Sequence, residues 1–425
     1  MSLARVMPAR LTGLWRNADF LRLWFGQTVS EFGSVVTRDA LPLVGVITLS
    51  ATPAQIGVLA ALGTLPALII GLPAGAWVDR LRRRPIMIVT DLASAAVVLS
   101  VPIAYLLGAL NVRQLYVVAL LAGALALLFD VAYTAYLPSL IARENLVEGN
   151  SKLSASESVA EVGGSALAGA LTQVFSAPMA MLIDAASFLV SALSVGLIRK
   201  PEPRPTRVAP PDLRGEIVEG LRALFGQPIL RAVALEGVTS TFFGNFYAAL
   251  YALYAIRELG ISPALLGLLI ASGGIGSFFG ALAAGRLARR FSLGAVLIGS
   301  KVVDSALGLL TPLAGGPVAL AATLLFVGQI GGDSLSTVYM IHSTSLRQAI
   351  TPDAMLGRMN AGIEFLRGAV ATAGVLVGGF LGEVLGLRPA VWVAALGPIV
   401  GLMWLIFSPV SSLRQMPRVA EGHGP

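Results

Sequence analysis

Cysteine is missing from all 425 residues, and histidine occurs only at His342 and His423. Disulfides and cysteine-ligated metals are therefore excluded, and so few histidines cannot build a zinc or haem centre, so no cofactor is expected. Lys152, Lys200 and Lys301 lack the glycine frame of a phosphate-binding loop. Any work the chain does would then draw on a proton gradient rather than on bound nucleotide. The serine-rich stretch 151–158 has no histidine near it in sequence. No catalytic constellation is evident, and an enzyme is not expected. Charge is scarce as well: Asp, Glu, Lys and Arg make up 12% of positions while hydrophobic residues make up 56%. That is roughly half the charged share of a soluble domain.

What fills the chain instead is a series of long apolar runs. Segments 53–78, 237–256, 259–285 and 389–410 hold no charged residue at all, and each is long enough to cross a bilayer, for which about 20 residues suffice. Apolar runs and Gly/Pro punctuation place spans near 20–48, 53–78, 86–109, 113–137, 150–175 and 177–198, then near 228–256, 263–287, 293–314, 317–346, 360–386 and 388–409. The expected fold class is an all-α membrane protein with twelve transmembrane helices. Residues 1–19 carry Arg5, Arg10 and Arg16 without a short apolar core, so a removable signal peptide is not expected.

With both termini cytoplasmic, Arg80, Arg82, Arg83, Arg84, Arg286, Arg289, Arg290 and most other basic residues share one side, and Arg113, Arg257 and Arg388 fall on the other. This bias follows the positive-inside rule for a multi-pass inner (plasma) membrane protein, and it accounts for the net charge of +7 without nucleic acid. The expected partners are the bilayer and a small-molecule substrate, with the chain acting as a monomer. The polar stretch 199–227 opens with Lys200-Pro-Glu-Pro-Arg-Pro and continues with Leu213, Ile217, Leu221 and Leu224 at helical spacing. It reads as a cytoplasmic linker ending in an interfacial helix. The expected organisation is a leading segment 1–19, a six-helix bundle 20–198, the linker 199–227, a second bundle 228–409 and a tail 410–425.

The halves repeat at an offset of 210 residues, which sets Asn150 on Asn360, Gly164 on Gly374, Gly169 on Gly379 and Gly75 on Gly285. Two six-helix repeats around a central cavity are the architecture of alternating-access carriers. The turn after the second span reads Gly71-Leu-Pro-Ala-Gly75-Ala-Trp-Val-Asp79-Arg80-Leu-Arg82-Arg83-Arg84. Glycines four apart let a neighbouring helix approach closely, and Asp79 would face a positive helix N-terminus at a gate between the halves. The arginines alone are also accounted for by membrane orientation.

Gly75, Asp79, Arg80, Arg83 and Arg84 resemble the G-x-x-x-D-R-x-G-R-R loop of the major facilitator superfamily, with Arg82 in place of a glycine. Leu41-Pro42-Leu43, Asp130-Val-Ala-Tyr133, Tyr136-Leu-Pro-Ser-Leu140 and Asp184-Ala-Ala-Ser-Phe188 are similar to the branch of that superfamily holding the enterobactin exporter and macrolide efflux proteins. The resemblance implies the major facilitator fold, and an Asp79 that helps hold the cytoplasmic side closed. Arg289 stands where the second half would repeat Asp79. Gly163, Gly164 and Gly169 match a glycine-rich motif of family exporters, although Ser165 replaces its proline; close helix packing needs only the glycines. Ala119 stands where the family carries an arginine in the fourth span.

Ionisable groups inside spans are functional candidates by default. Glu31, Arg38 and Asp39 lie in the first span, Asp130 in the fourth and Asp333 in the tenth. Glu31, with Asp39, is the candidate for exchanging a proton against substrate, and a static Glu31 to Arg38 ion pair is the competing reading. A substrate cavity is expected to be lined by Phe25, Tyr133, Phe243, Phe246, Tyr247 and Glu236. The expected activity is proton-driven export of a small apolar or amphipathic compound. A lipid flippase, a nutrient importer and a non-transporting scaffold or sensor remain open on the same fold.

Overall fold

The computed structural model describes residues 13–78, 80–202 and 213–417, and every regular element among them is helical. The helices are α1 (Ala18–Leu43), α2 (Pro53–Val78), α3 (Arg83–Leu106), α4 (Val112–Leu140), α5 (Leu146–Val174), α6 (Ala177–Gly196), α7 (Leu213–Gly226) and α8 (Pro228–Leu253). They continue as α9 (Pro263–Arg290), α10 (Leu293–Gly308), a single-turn α11 (Leu310–Leu313), α12 (Val318–Ile350), α13 (Asp353–Leu385) and α14 (Leu387–Ile406). Among the described residues nine stretches are long and apolar enough to cross a membrane, the last part of one being the short α11. Helices α1, α5 and α8 are as long, at 26, 29 and 26 residues. What sets them apart is polar content: Glu31, Arg38 and Asp39 in α1, Glu157 and Glu161 in α5, Glu236 and Asn245 in α8.

The packing has one pattern used twice. In the first half α1 packs on α5 and α6, α3 on α4 and α6, and α2 on α4; in the second, α8 packs on α13 and α14, α10 on α12 and α14, and α9 on α12. Between the halves α2 lies along α13 and α5 along α9. Small residues make these crossings possible, because without a hydrophobic driving force in lipid helices gain most from close van der Waals contact. A Cβ on Gly57 would sit 2.9 Å from the Gly379 Cα, and one on Gly169 would sit 2.9 Å from the Gly267 Cα. Backbone therefore meets backbone at both crossings.

Both crossings lie at one end of the molecule, opposite the end that carries Arg80 to Arg84 and Arg286 to Arg290; these are the far end and the basic end below. At the far end α1 and α8 each pass into a wider π-helical turn, at 44–48 and 254–258. Each turn closes with a left-handed residue, Ser50 (φ 51°) and Gly260 (φ 65°). Helix α7 packs on α13 through Leu221 and Leu224, and Arg358 reaches Glu219 at 2.8 Å.

Candidate functional site

A cavity of about 700 Å³ lies between the halves, its wall drawn from α1, α2, α4, α5, α8 and α9 among others. That volume is in the range of pockets that enclose drug-sized ligands, roughly 300–1,000 Å³. Most of the wall is apolar, with Leu43, Leu59, Val98, Phe188 and Ile270 contributing; the charged groups lie on α1 and α6, and Asn245 of α8 and Gln329 of α12 add neutral polar groups from the second half. Arg38 of α1 forks onto Glu161 of α5, with nitrogen-to-oxygen distances of 2.9 and 2.7 Å, and also reaches the Asp39 carboxylate at 3.2 Å. Asp39 Oδ2 and Ser165 Oγ are buried side by side in the same wall. Asp184 of α6 is fully buried, with Ser187 Oγ donating to it at 3.2 Å and Ser34 and Thr37 of α1 beside it. Gly33 makes this approach possible, since a Cβ there would strike Ser187 and Asp184.

Of the residues expected around the cavity, Tyr247 lines it, with its hydroxyl 3.3 Å from Thr311 Oγ1. Tyr251, one turn further along α8, lines it as well and was not foreseen. Phe25 is exposed at 53%, and Phe246 is fully buried within the second half. Phe243 packs on Gly397 of α14, and Tyr133 stacks on Phe129 with ring centroids 6.1 Å apart. Glu236 is fully buried and lines a different cavity inside the second half. Two of the positions where the chain departs from the resembled motifs, Ala119 and Ser165, line the central cavity. An alanine in place of an arginine leaves that wall apolar.

The proton-coupling candidates divide into three environments. Arg38 is engaged by Glu161 and Asp39, so no static Glu31 to Arg38 pair forms; among the described residues Glu31 has no hydrogen-bond or ion-pair partner. Glu31 shares an electrostatic neighbourhood with Asp130, Glu157 and Glu161, making an acidic group contributed by α1, α4 and α5. Asp130, Glu157 and Glu161 are exposed. Asp333 sits against Gly273 of α9 and accepts from Gln329 Nε2 at 2.6 Å. Asp91 of α3, which apolar-run reasoning passed over, is buried with Oδ2 unpartnered. The only sequence signal for it is a lone carboxylate in an otherwise apolar span.

Asp79 of the loop motif lies outside the described residues, and of Gly75 only its place in α2 is described. Among the described residues no atom lies within 4 Å of where a Cβ on Gly71 would be. Arg80 is exposed. The Arg83 and Arg84 amides at the start of α3 donate to the two oxygens of Glu202, at 2.6 and 3.2 Å. Arg84 then donates to the Val195 and Gly196 carbonyls at the end of α6, at 3.1 and 2.5 Å. A carboxylate thus sits at a helix start and a guanidinium at a helix end, each complementing the dipole it faces. Gly163 and Gly164 pack on Phe32 and Val35 of α1, whereas Gly169 belongs to the α5–α9 crossing.

A cavity between two sets of packed helices fits an alternating-access carrier, and the family match makes this chain a membrane transporter of the major facilitator class rather than an enzyme. Residues 12–423 match the profile of the transmembrane secretion effector family, and the chain belongs to that family. It is 26% identical to the multidrug efflux pump Tap of Mycolicibacterium fortuitum, over 88% of this chain and 91% of that protein. It is 27% identical to the enterobactin exporter EntS of Citrobacter koseri, over 84% of each chain. In fold it is similar to a bacterial homologue of the iron transporter ferroportin in an inward-facing state, with a TM-score of 0.72 at 17% identity over 94% of this chain and 100% of that one.

Proposed function

We propose that the chain is a twelve-span exporter of small apolar or amphipathic compounds, built from two six-helix repeats and driven by proton antiport. The observation that carries this reading is the central cavity, a mostly apolar chamber with two carboxylates, Asp39 and Asp184, in its wall. Such a wall solvates the body of an amphipathic molecule and orients its polar end. The efflux relatives support export as the direction, and the arginine-rich end marks the cytoplasmic side by the positive-inside rule. Both termini are then cytoplasmic, residues 199–227 form a cytoplasmic linker, and the bundles run 20–198 and 228–409.

On that topology the glycine crossings close the outer side, so the cavity faces the cytoplasm and is poised to load. Glu31, in its acidic group and with no ion pair of its own among the described residues, takes up the coupling proton as substrate leaves, while Arg38 stays tied to Glu161 and Asp39. Reconstitution with a pH-sensitive dye in the lumen, an imposed proton gradient and a panel of amphipathic drugs and siderophores tests this. Substrate-dependent proton movement is expected, lost in Glu31→Gln. Efflux with unchanged pH dependence in that variant would remove Glu31 from the cycle, and silence with every compound would count against antiport export.

A further inference from the structure

The second half holds its own charged interior, away from the central cavity. Lys301 of α10 donates to Glu236 Oε1 at 3.2 Å, to Asp304 Oδ2 at 3.2 Å and to Ser240 Oγ at 3.1 Å, and Ser240 donates to Glu236 Oε1 at 2.5 Å. Tyr339 of α12 brings its ring to 5.4 Å from the Lys301 ammonium. Glu236 is fully buried and Lys301 only 5% exposed. Both stand eight residues inside the starts of α8 and α10, which at 1.5 Å per residue is about 12 Å in from the basic end.

Two carboxylates share one ammonium, so the triad carries one surplus negative charge at a depth where an uncompensated charge is strongly disfavoured. Glu236 Oε2 and the Tyr339 hydroxyl are both buried without a well-formed hydrogen bond, although the hydroxyl lies against the same carboxylate. A cavity of about 260 Å³ meets Glu236, Lys301 and Tyr339 and runs on past Arg347 and Arg367 to Leu224 and Leu230 near the basic end. The site therefore has a vacant acceptor and a path to it. A hard metal cation would need a shell of about six oxygens, and Lys301 already occupies the centre where such an ion would sit; a proton fits.

We propose that the Glu236–Lys301–Asp304 triad is a proton-binding site of the second half, loaded from the basic end through this cavity. The proton goes onto a carboxylate oxygen of the pair, turning an acceptor-only group into one that donates towards Tyr339 and leaving the triad neutral. Other groups facing it are Arg347 and Asp333 from α12 and the Glu364–Arg367 pair from α13, which neutralises itself at 3.4 Å. Of the remaining neighbours, α14 carries only Arg388 at the far end and α9 only the exposed Arg286, Arg289 and Arg290, while α7 carries the exposed Arg222 and a Glu219 paired with Arg358, and Arg231 of α8 itself is exposed. The role in transport rests on the proton-coupled reading above, but the site itself does not.

Infrared difference spectra of the purified protein, recorded as pH is lowered over the range in which it stays folded, test the site directly. The carbonyl stretch of a buried, protonated carboxylic acid is expected to appear. Because the pair shares one proton, either Glu236→Gln or Asp304→Asn should abolish the band, while Glu31→Gln should leave it. Lys301→Met, which leaves two carboxylates without their cation, should carry the band to higher pH. A band indifferent to both Glu236→Gln and Asp304→Asn, or no band in the folded wild-type protein, would overturn the assignment. If the band behaves as expected and transport still moves no protons, the site stands and the antiport reading falls.

Discussion

The π-helical turns at 44–48 and 254–258 have the same hydrogen-bond frame: Ala51 N donates to Gly45 O at 2.8 Å in one and Ile261 N to Ala255 O at 2.9 Å in the other. At the matching position of each turn, however, Ile47 is 42% exposed while Arg257 crosses to the first half and donates to the Val46 and Ala51 carbonyls, at 3.0 and 2.8 Å. The helix starts beyond the turns differ in the same sense. Gln173 Oε1 accepts from Ala264 N at 3.1 Å, and Glu383 Oε2 accepts from Ala54 N at 3.3 Å. Deeper in, the 210-residue offset places buried Asp91 opposite buried Lys301. Across the 210-residue offset the backbone contacts match while the charges differ. Two halves with matching backbone contacts can therefore meet at one end while housing different ionic chemistry.

The comparison can be broken most severely at the glycines. Gly57→Leu has no room, since even a Cβ would lie 2.7 Å from the Val375 carbonyl. Overpacking of this kind costs about 1–3 kcal/mol, a shift of roughly 5- to 150-fold away from the far-end-closed state. A cysteine placed at Thr64 in the naturally cysteine-free chain should then become labelled by a membrane-impermeant thiol reagent from the far side; protection equal to the parent would show that the crossing is not a gate. A smaller effect is expected from Ala119→Phe, which fills cavity wall without touching the crossings. It should weaken substrate binding by roughly tenfold, about 1.4 kcal/mol, in a titration of substrate fluorescence, and leave Thr64→Cys labelling unchanged.

Arg257→Gln should shift the same labelling equilibrium by about 1–2 kcal/mol, as expected for loss of hydrogen bonds from a charged donor, while Ile47→Ala at the matching place should do nothing measurable. Equal effects from the two would erase the asymmetry. The smallest change belongs to the exposed Arg358–Glu219 pair between α7 and α13: Glu219→Gln should lower stability by less than about 1 kcal/mol in thermal unfolding, and salt should mask the difference.

Much of this was legible because membrane spans advertise themselves by length and composition. The apolar runs located most helices to within a few residues, although α13 begins at Asp353, well before the expected 360, and Gly169 on Gly379 pointed at positions that turned out to lie in the two inter-half crossings. Less was legible wherever side-chain direction decided the outcome. Phe246 and Tyr247 are sequence neighbours on α8, yet one is sealed in the bundle and the other faces the cavity. An apolar helix gives little periodic contrast from which to tell those faces apart. Glu31 and Arg38 share a face at two turns' spacing, but Arg38 was claimed from across the bundle by Glu161, which only the fold brings near. Lys301 and Asp304 lie three apart inside the expected span 293–314 and were passed over as a pair that neutralises itself locally; only the fold brings Glu236 onto them.

Arg257 grips main-chain carbonyls and no side chain. The receiving half of that clasp is consequently invisible to substitution: residues 46 and 51 can drift through any identity that preserves the turn, and the clasp persists. Only the donor can be lost by point mutation. Divergence among relatives should therefore be lopsided at this spot, with one guarded position facing a tolerant loop, and a transporter assembled from halves of two different relatives would keep its clasp so long as the second half came from this one.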